Sequence, residues 1–283
     1  MVASINSSIL NNLLNNIERN KSGLSSSLEK IASGRRLNRA GEDPASNSIA
    51  TQLRSEIRTL SQAVKNVSSG TNFIRNVEGS LATISDLVTR GRELAVQSAN
   101  GTIGPAERKI INQEFEQIKS EIDRISQSAE FNGQPLLDGS LAPDSANQVD
   151  IQAGSGSGPE NRININVVDS TSTESLGLAD SDISTTQGAQ QAFTDLDSAL
   201  STLSATRGEV GALGNRLMIT SNGLTTRIEN LTSAESTLAD TDLAAEITSL
   251  QSRLTLFQSS IKSLALQLRL NEQTSGKLLN FIA

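Results

Sequence analysis

From Asp43-Pro44 onward, apolar side chains fall at Ile49, Leu53, Ile57, Leu60, Val64, Val67, Ile74, Val77, Leu81, Ile84, Leu87 and Leu94. The steps are mostly three or four, or the sum of the two, which puts these residues on one face of an α-helix. The pattern runs for about fifty residues without an internal proline, well beyond an ordinary globular helix. Asp43 suits an N-cap and Pro44 a first helical turn. So long a stripe needs a partner along its whole length, which predicts a rod or coiled-coil packing.

Other segments repeat the theme. Residues 1–33 carry Ile5, Ile9, Leu10, Leu13, Leu14, Ile17, Leu24, Leu28 and Ile31 against a background of Asn and Ser, and Gly34 suits a helix stop. Asn100-Gly101-Thr102 and Gly104-Pro105 break the long helix, and a third stripe follows through Ile110, Ile111, Phe115, Ile118, Ile122 and Ile125. Asn132-Gly133 and Pro135 close it. Between 138 and 186 the chain turns rich in Gly, Ser, Asp and Pro. Two alternating runs there, Val149-Asp150-Ile151 and Ile163–Val167, predict strands, with Gly154–Pro159 as their loop. From about 187, Phe193, Leu196, Leu200, Leu203, Val210, Leu213, Leu217, Leu224, Ile228 and Leu231 form another long stripe. A last one passes through Leu243, Ile247, Leu250, Leu254, Phe257, Ile261, Leu264 and Leu268.

These elements predict a mainly α fold: a long antiparallel helical rod or coiled coil in which the N- and C-terminal segments pair, with a small β-hairpin region in the middle. The expected organisation is 1–42 with 240–283 as a terminal helical domain, 43–139 with 187–239 as a helical rod, and 140–186 as a small solvent-facing hairpin region.

Composition narrows the function. The 283 residues contain no His, Cys, Trp or Tyr, and only two Met and six Phe. A core must therefore be built from Leu, Ile, Val and Ala, which favours helices packed side by side over a deep ligand pocket. The absence of His and Cys removes the usual zinc ligands and many nucleophile and acid–base arrangements. No cofactor or metal motif is present: Gly154–Gly158 lacks the Lys of a phosphate loop, and Asp240-x-Asp242…Glu246 lacks the Gly and spacing of a calcium loop. A net charge of −7 with interspersed signs argues against nucleic acid as a partner. No apolar run reaches the length of a membrane span, and no basic region precedes an apolar stretch at the start. The chain is therefore expected to stay in the cytoplasm or to leave by a route that reads no such signal.

The two ends need more than each other. An isolated helix such as 1–33 is marginal in water. Pairing it with the last helix still leaves an apolar seam open, so further copies of the chain are the expected cover. The residues expected to form that self-assembly core are Ile5, Ile9, Leu13, Ile17, Leu24, Leu28, Ile31, Leu250, Leu254, Phe257, Ile261 and Leu264.

Several runs, in order, resemble bacterial flagellins: Leu28-Glu29-Lys30-Ile31-Ala32-Ser33-Gly34-Arg35-Arg36-Leu37-Asn38, then Gly41–Ala45, Asn76–Leu81, Arg90–Thr102, Glu121–Ile125 and Phe131–Gly139, and on the far side Asn230–Ser236 and Asp240–Glu246. The resemblance covers about residues 1–139 and 187–260; the last twenty residues depart from it. It implies a secreted, non-enzymatic structural subunit of the extracellular flagellar filament. The partners it implies are identical subunits, an export chaperone and secretion apparatus, and hook-junction and cap proteins. Arg90, Leu94 and Glu114 match positions that in this family are recognised by Toll-like receptor five, and the competing reading is that they pack helices and contact the next subunit. The runner-up is a hook–filament junction protein, a relative with the same paired ends. Ser170-Thr171-Ser172-Thr173 lie in the region expected to face outward and are candidates for O-linked sugars.

Overall fold

The computed structural model describes the backbone of Val2–Ile282 and the side-chain surroundings of residues 8–273, so the Ile5 side chain lies outside the described residues. Five α-helices dominate: α1 (Val2–Ser33), α2 (Pro44–Ala99), α3 (Pro105–Ser128), α4 (Thr186–Ala239) and α5 (Leu243–Ile282). Two short antiparallel strand pairs join α3 to α4: β1 (Glu130–Phe131) with β2 (Gln134–Pro135), and β3 (Asp150–Gln152) with β4 (Arg162–Asn164). The mainly α architecture with paired ends is the one the periodicity predicts. The β3–β4 hairpin lies where alternation predicted it, with Ile151 opposite Ile163. The β1–β2 hairpin was not expected. Its turn is Asn132-Gly133, both residues at positive φ (53° and 76°), a two-residue conformation whose twist matches that of paired strands.

Local chemistry sets the helix ends. α1 stops at Gly34, whose φ of 69° is one that an L side chain resists. α2 starts where the Ser46 N–H donates to the Asp43 carboxylate at 3.1 Å. The Ser46 hydroxyl and then the Ser46 N–H hold Asp43 below its ordinary carboxylate range. α5 starts on Asp242, which accepts from the N–H groups of Ala244 (2.9 Å) and Ala245 (3.2 Å).

The chain divides into two compact units, residues 1–55 with 230–283, and residues 56–229. The second holds the main hydrophobic core. Leu81, Ile84, Val88, Leu94 from α2, Phe115 and Ile122 from α3, and Leu196, Leu203 and Leu217 from α4 are essentially inaccessible to solvent. Apolar residues of the connecting stretch, among them Leu141, Ile163, Val168, Leu178 and Ile183, belong to the same cluster. α2 and α4 run antiparallel, as three ion pairs record: Glu56 with Arg227, Glu78 with Arg207, and Arg92 with Asp197. Gly70 lets the hairpin approach α2, since a methyl group there would collide with the Ile151 side chain.

Thr171 and Thr173, expected to face outward, are buried (2% and 6% exposed). The segment is drawn against α3: the Thr173 N–H and hydroxyl both donate to Asp123 (2.8 and 2.9 Å), and the Thr171 N–H donates to the Leu137 carbonyl. Their hydroxyls therefore sit inside the unit rather than on its surface.

Three outcomes follow. Truncating Leu81 to Ala removes a fully buried side chain and should cost about 2–5 kcal/mol in denaturant unfolding, whereas Asp242→Ala should cost about 1 kcal/mol through loss of the α5 cap. Because the folded-state pKa of Asp43 is depressed, its stabilisation is present above the unfolded value and is lost as pH falls through the folded one. Acid titration followed by hydrogen exchange should show the first turn of α2 opening in that window, and Asp43→Asn, which caps without titrating, should remove the dependence.

Candidate functional site

In the unit formed by residues 1–55 and 230–283, α1 and α5 lie antiparallel. The Asn20 amide donates to the Ser260 hydroxyl at 3.0 Å, the Arg36 N–H to the Ala239 carbonyl at 2.7 Å, and the Thr241 N–H to the Gly34 carbonyl at 3.1 Å. As the α1 number rises, its partner number falls. Glu235 anchors this end of the pair, accepting from Arg54 at 2.6 Å and standing 3.9 Å from Arg35.

The facing side of α5 carries Leu250, Arg253, Phe257, Ser260, Leu264 and Gln267, all half-buried and spaced alternately by three and four. Leu13, Ile17, Leu24 and Ile31 are likewise half-buried on α1. These form the seam. Seven of the sequence-predicted assembly residues therefore belong to it: Leu13, Ile17, Leu24, Ile31, Leu250, Phe257 and Leu264.

The other described members point elsewhere. Ile9 is 41% exposed, Leu28 51%, Leu254 39% and Ile261 45%. Leu254 and Ile261 fall into a second row on α5, Ile247, Leu254, Ile261 and Leu268, in which each residue lies seven beyond the last and every one is exposed. Leu256 and Leu266 add further exposed apolar surface. Sequence reasoning treated α5 as carrying one stripe and left Leu256 and Leu266 out. The signal available was that apolar residues on α5 outnumber the positions one seam accommodates. Among the described residues of this unit, Leu37 is the one large apolar side chain that is buried; Ser27, Ala50 and Ala239 are the other buried positions. The pair thus has a seam but no interior.

The second predicted group splits as well. Arg90 and Glu114 are both about half exposed and form a salt bridge across α2 and α3, with Arg90 Nη2 2.8 Å from Glu114 and Nη1 2.9 Å from Glu93. Glu114, and after it Glu93, hold the guanidinium above its usual pKa by accepting hydrogen bonds from it. Leu94 is 1% exposed and belongs to the core. Val96 (55% exposed) and Ile110 (66%) are the large apolar side chains left on the surface of α2 and α3 nearby in sequence.

Among the described residues no group of His, Cys, Asp and Glu is arranged to hold a metal ion, and no helix is long and apolar enough to cross a membrane. The dominant chemical feature is exposed aliphatic surface on paired end helices.

The model of the bacterial flagellin N-terminal helical region matches residues 5–142, and that of the C-terminal helical region matches residues 193–282. The second match extends past residue 260, where the motif resemblance stopped, and takes in the whole of α5. A 30.7 kDa flagellar filament core protein of Treponema maltophilum is 36% identical over 87% of this chain and 89% of its own. A flagellin of Bacillus subtilis is 34% identical over 90% and 92%. A hook-associated protein structure from Vibrio parahaemolyticus shares the fold alone, with a TM-score of 0.58 at 13% identity over 70% of this chain and 99% of that one. Paired helical ends with uncovered aliphatic faces, and sequence similarity that spans both of them, place this chain in the bacterial flagellin family.

Proposed function

We propose that the chain is the repeating structural subunit of an extracellular flagellar filament used for swimming, and that its end helices are the polymerising element. The observation that carries this reading is the exposed row Ile247, Leu254, Ile261 and Leu268, next to a seam that α1 already fills. Aliphatic surface of this extent gains roughly 25 cal/mol for each Å² withdrawn from water, and further copies of the chain supply the cover. Repetition of one heterologous contact whose rotation does not close builds an open helical polymer.

The role of the protein is packing, not catalysis. Residues 1–42 with 240–283 serve as the inner tube of the filament, 43–139 with 187–239 as the outer tube, and 140–186 as the part turned to solvent. The assembly core consists of Ile5, Ile9, Leu13, Ile17, Leu24, Leu28, Ile31, Leu250, Leu254, Phe257, Ile261 and Leu264. Export chaperone, secretion apparatus, hook-junction and cap proteins are the partners that go with this family. Released monomers present the Arg90–Glu114 surface to Toll-like receptor five, with Leu94 supporting that surface from beneath. The exposure of the two charged residues and the burial of the third support this division of labour. Relatives of similar length, one named a flagellar filament core protein and one a flagellin, favour the filament over the hook-junction role.

Replacing Leu254 and Ile261 together by Ser should leave the thermal unfolding of residues 56–229 unchanged and abolish seeded polymerisation, scored by electron microscopy. Normal filaments from that variant would remove the basis of the proposal. A chain lacking residues 1–30 should likewise remain a soluble helical monomer in sedimentation.

A further inference from the structure

The sequence contains three Asn-Gly pairs, at Asn100-Gly101, Asn132-Gly133 and Asn222-Gly223. Asparagine followed by glycine is chemically labile, because no side chain shields the backbone nitrogen that can attack the neighbouring carboxamide. A side chain added at any of the three glycines would meet nothing within 4 Å, so crowding does not distinguish them. Conformation does.

Asn222 and Gly223 lie inside α4. There the helical ladder commits the Gly223 N–H to a carbonyl of the preceding turn and directs it along the axis, away from the Asn side chain. Asn132 and Gly133 are the tight turn of the β1–β2 hairpin, and attack by the Gly133 nitrogen would require that turn to come apart. Asn100 and Gly101 follow the last turn of α2 and are both exposed.

The Asn100 carboxamide is already engaged. Its Oδ1 accepts the Thr102 N–H at 3.1 Å, which draws the side chain forward along the main chain and polarises Cγ. The same N–H is placed to stabilise the negative charge that develops on Oδ1 when Cγ becomes tetrahedral. The loop is held in this form: the Ile103 N–H donates to the Asn100 carbonyl at 3.2 Å, and Nη2 of the buried Arg108 donates to the Ile103 carbonyl at 2.9 Å.

We infer that Asn100-Gly101 is a site of spontaneous self-modification, in which the folded loop directs conversion of Asn100 to aspartate and isoaspartate while the other two pairs are protected. The Gly101 nitrogen forms a bond to Asn100 Cγ. The Cγ–Nδ2 bond then breaks, and ammonia leaves carrying the proton lost from the Gly101 nitrogen. Water opens the resulting succinimide at either carbonyl, giving a carboxylate on Cγ or, with the main chain rerouted through Cβ and Cγ, an isoaspartyl link. A neutral side chain at the carbonyl end of α2 thereby becomes an anion, where the helix dipole disfavours it.

Peptide mapping by mass spectrometry of the full chain, aged at mildly alkaline pH, tests this. In native protein the Asn100 peptide should gain its acidic and isoaspartyl forms several-fold faster than the Asn132 and Asn222 peptides. In denaturant the three should convert at comparable rates. Thr102→Pro, which removes the donating N–H, should slow conversion at Asn100, and so should Gly101→Ala. An unmodified Asn100 in the native chain, or one preference shared by the native and denatured states, would overturn the inference.

Discussion

Two helices lying side by side share one face each, and nothing in that geometry creates an inside. This limit governs the terminal unit. α1 and α5 fill their common seam with Leu13, Ile17, Leu24 and Ile31 against Leu250, Phe257 and Leu264, yet none of these becomes fully buried. α5 also carries aliphatic side chains on a face the seam does not reach, at Ile247, Leu254, Ile261 and Leu268. A lone molecule leaves that face in water, while a stack of copies withdraws it. In the proposed filament, the hydrophobic effect acting on the surface that intramolecular pairing leaves over is what drives association.

Residues 56–229 solve the same problem in the opposite way. Three helices and the connecting stretch enclose a common cluster, so Leu81, Ile84, Phe115 and Leu196 have neighbours on all sides. The antiparallel order of the Glu56–Arg227, Glu78–Arg207 and Arg92–Asp197 pairs runs along α2 and α4. Pairs this exposed contribute little stability, and their use is to disfavour a shifted register. With few aromatics, the core relies on branched aliphatics and on close approach, as at Gly70 beneath Ile151. The buried core lies in this unit and the exposed aliphatic row in the other.

Much of the architecture was legible because helical periodicity is a local property. Gly34, Asp43-Pro44 and Asp242 mark their boundaries through backbone conformation and capping, which depend on near neighbours alone. The β3–β4 hairpin was equally plain from its alternation. The β1–β2 hairpin was not, since strands of two residues carry no alternation to detect. The outward orientation given to Thr171 and Thr173 failed for a related reason: a polar, Gly-rich composition suggests exposure, but the Asp123 carboxylate on α3 draws Thr173 inward and the Leu137 carbonyl holds Thr171.

The sequence by itself determined which residues are helical, where the helices stop, and that aliphatic stripes at both ends seek cover, because each of these follows from side chains a few positions apart. The tertiary structure alone decided which half of each stripe is spent on α1–α5 pairing and which is left outward, that Leu94 lies in the core while Arg90 and Glu114 stay half exposed, and that one of three Asn-Gly pairs falls in an exposed loop rather than in a helix or a tight hairpin turn. Those distinctions rest on what lies across from a residue in space, and separations such as Asn20 to Ser260 are not encoded in any local pattern.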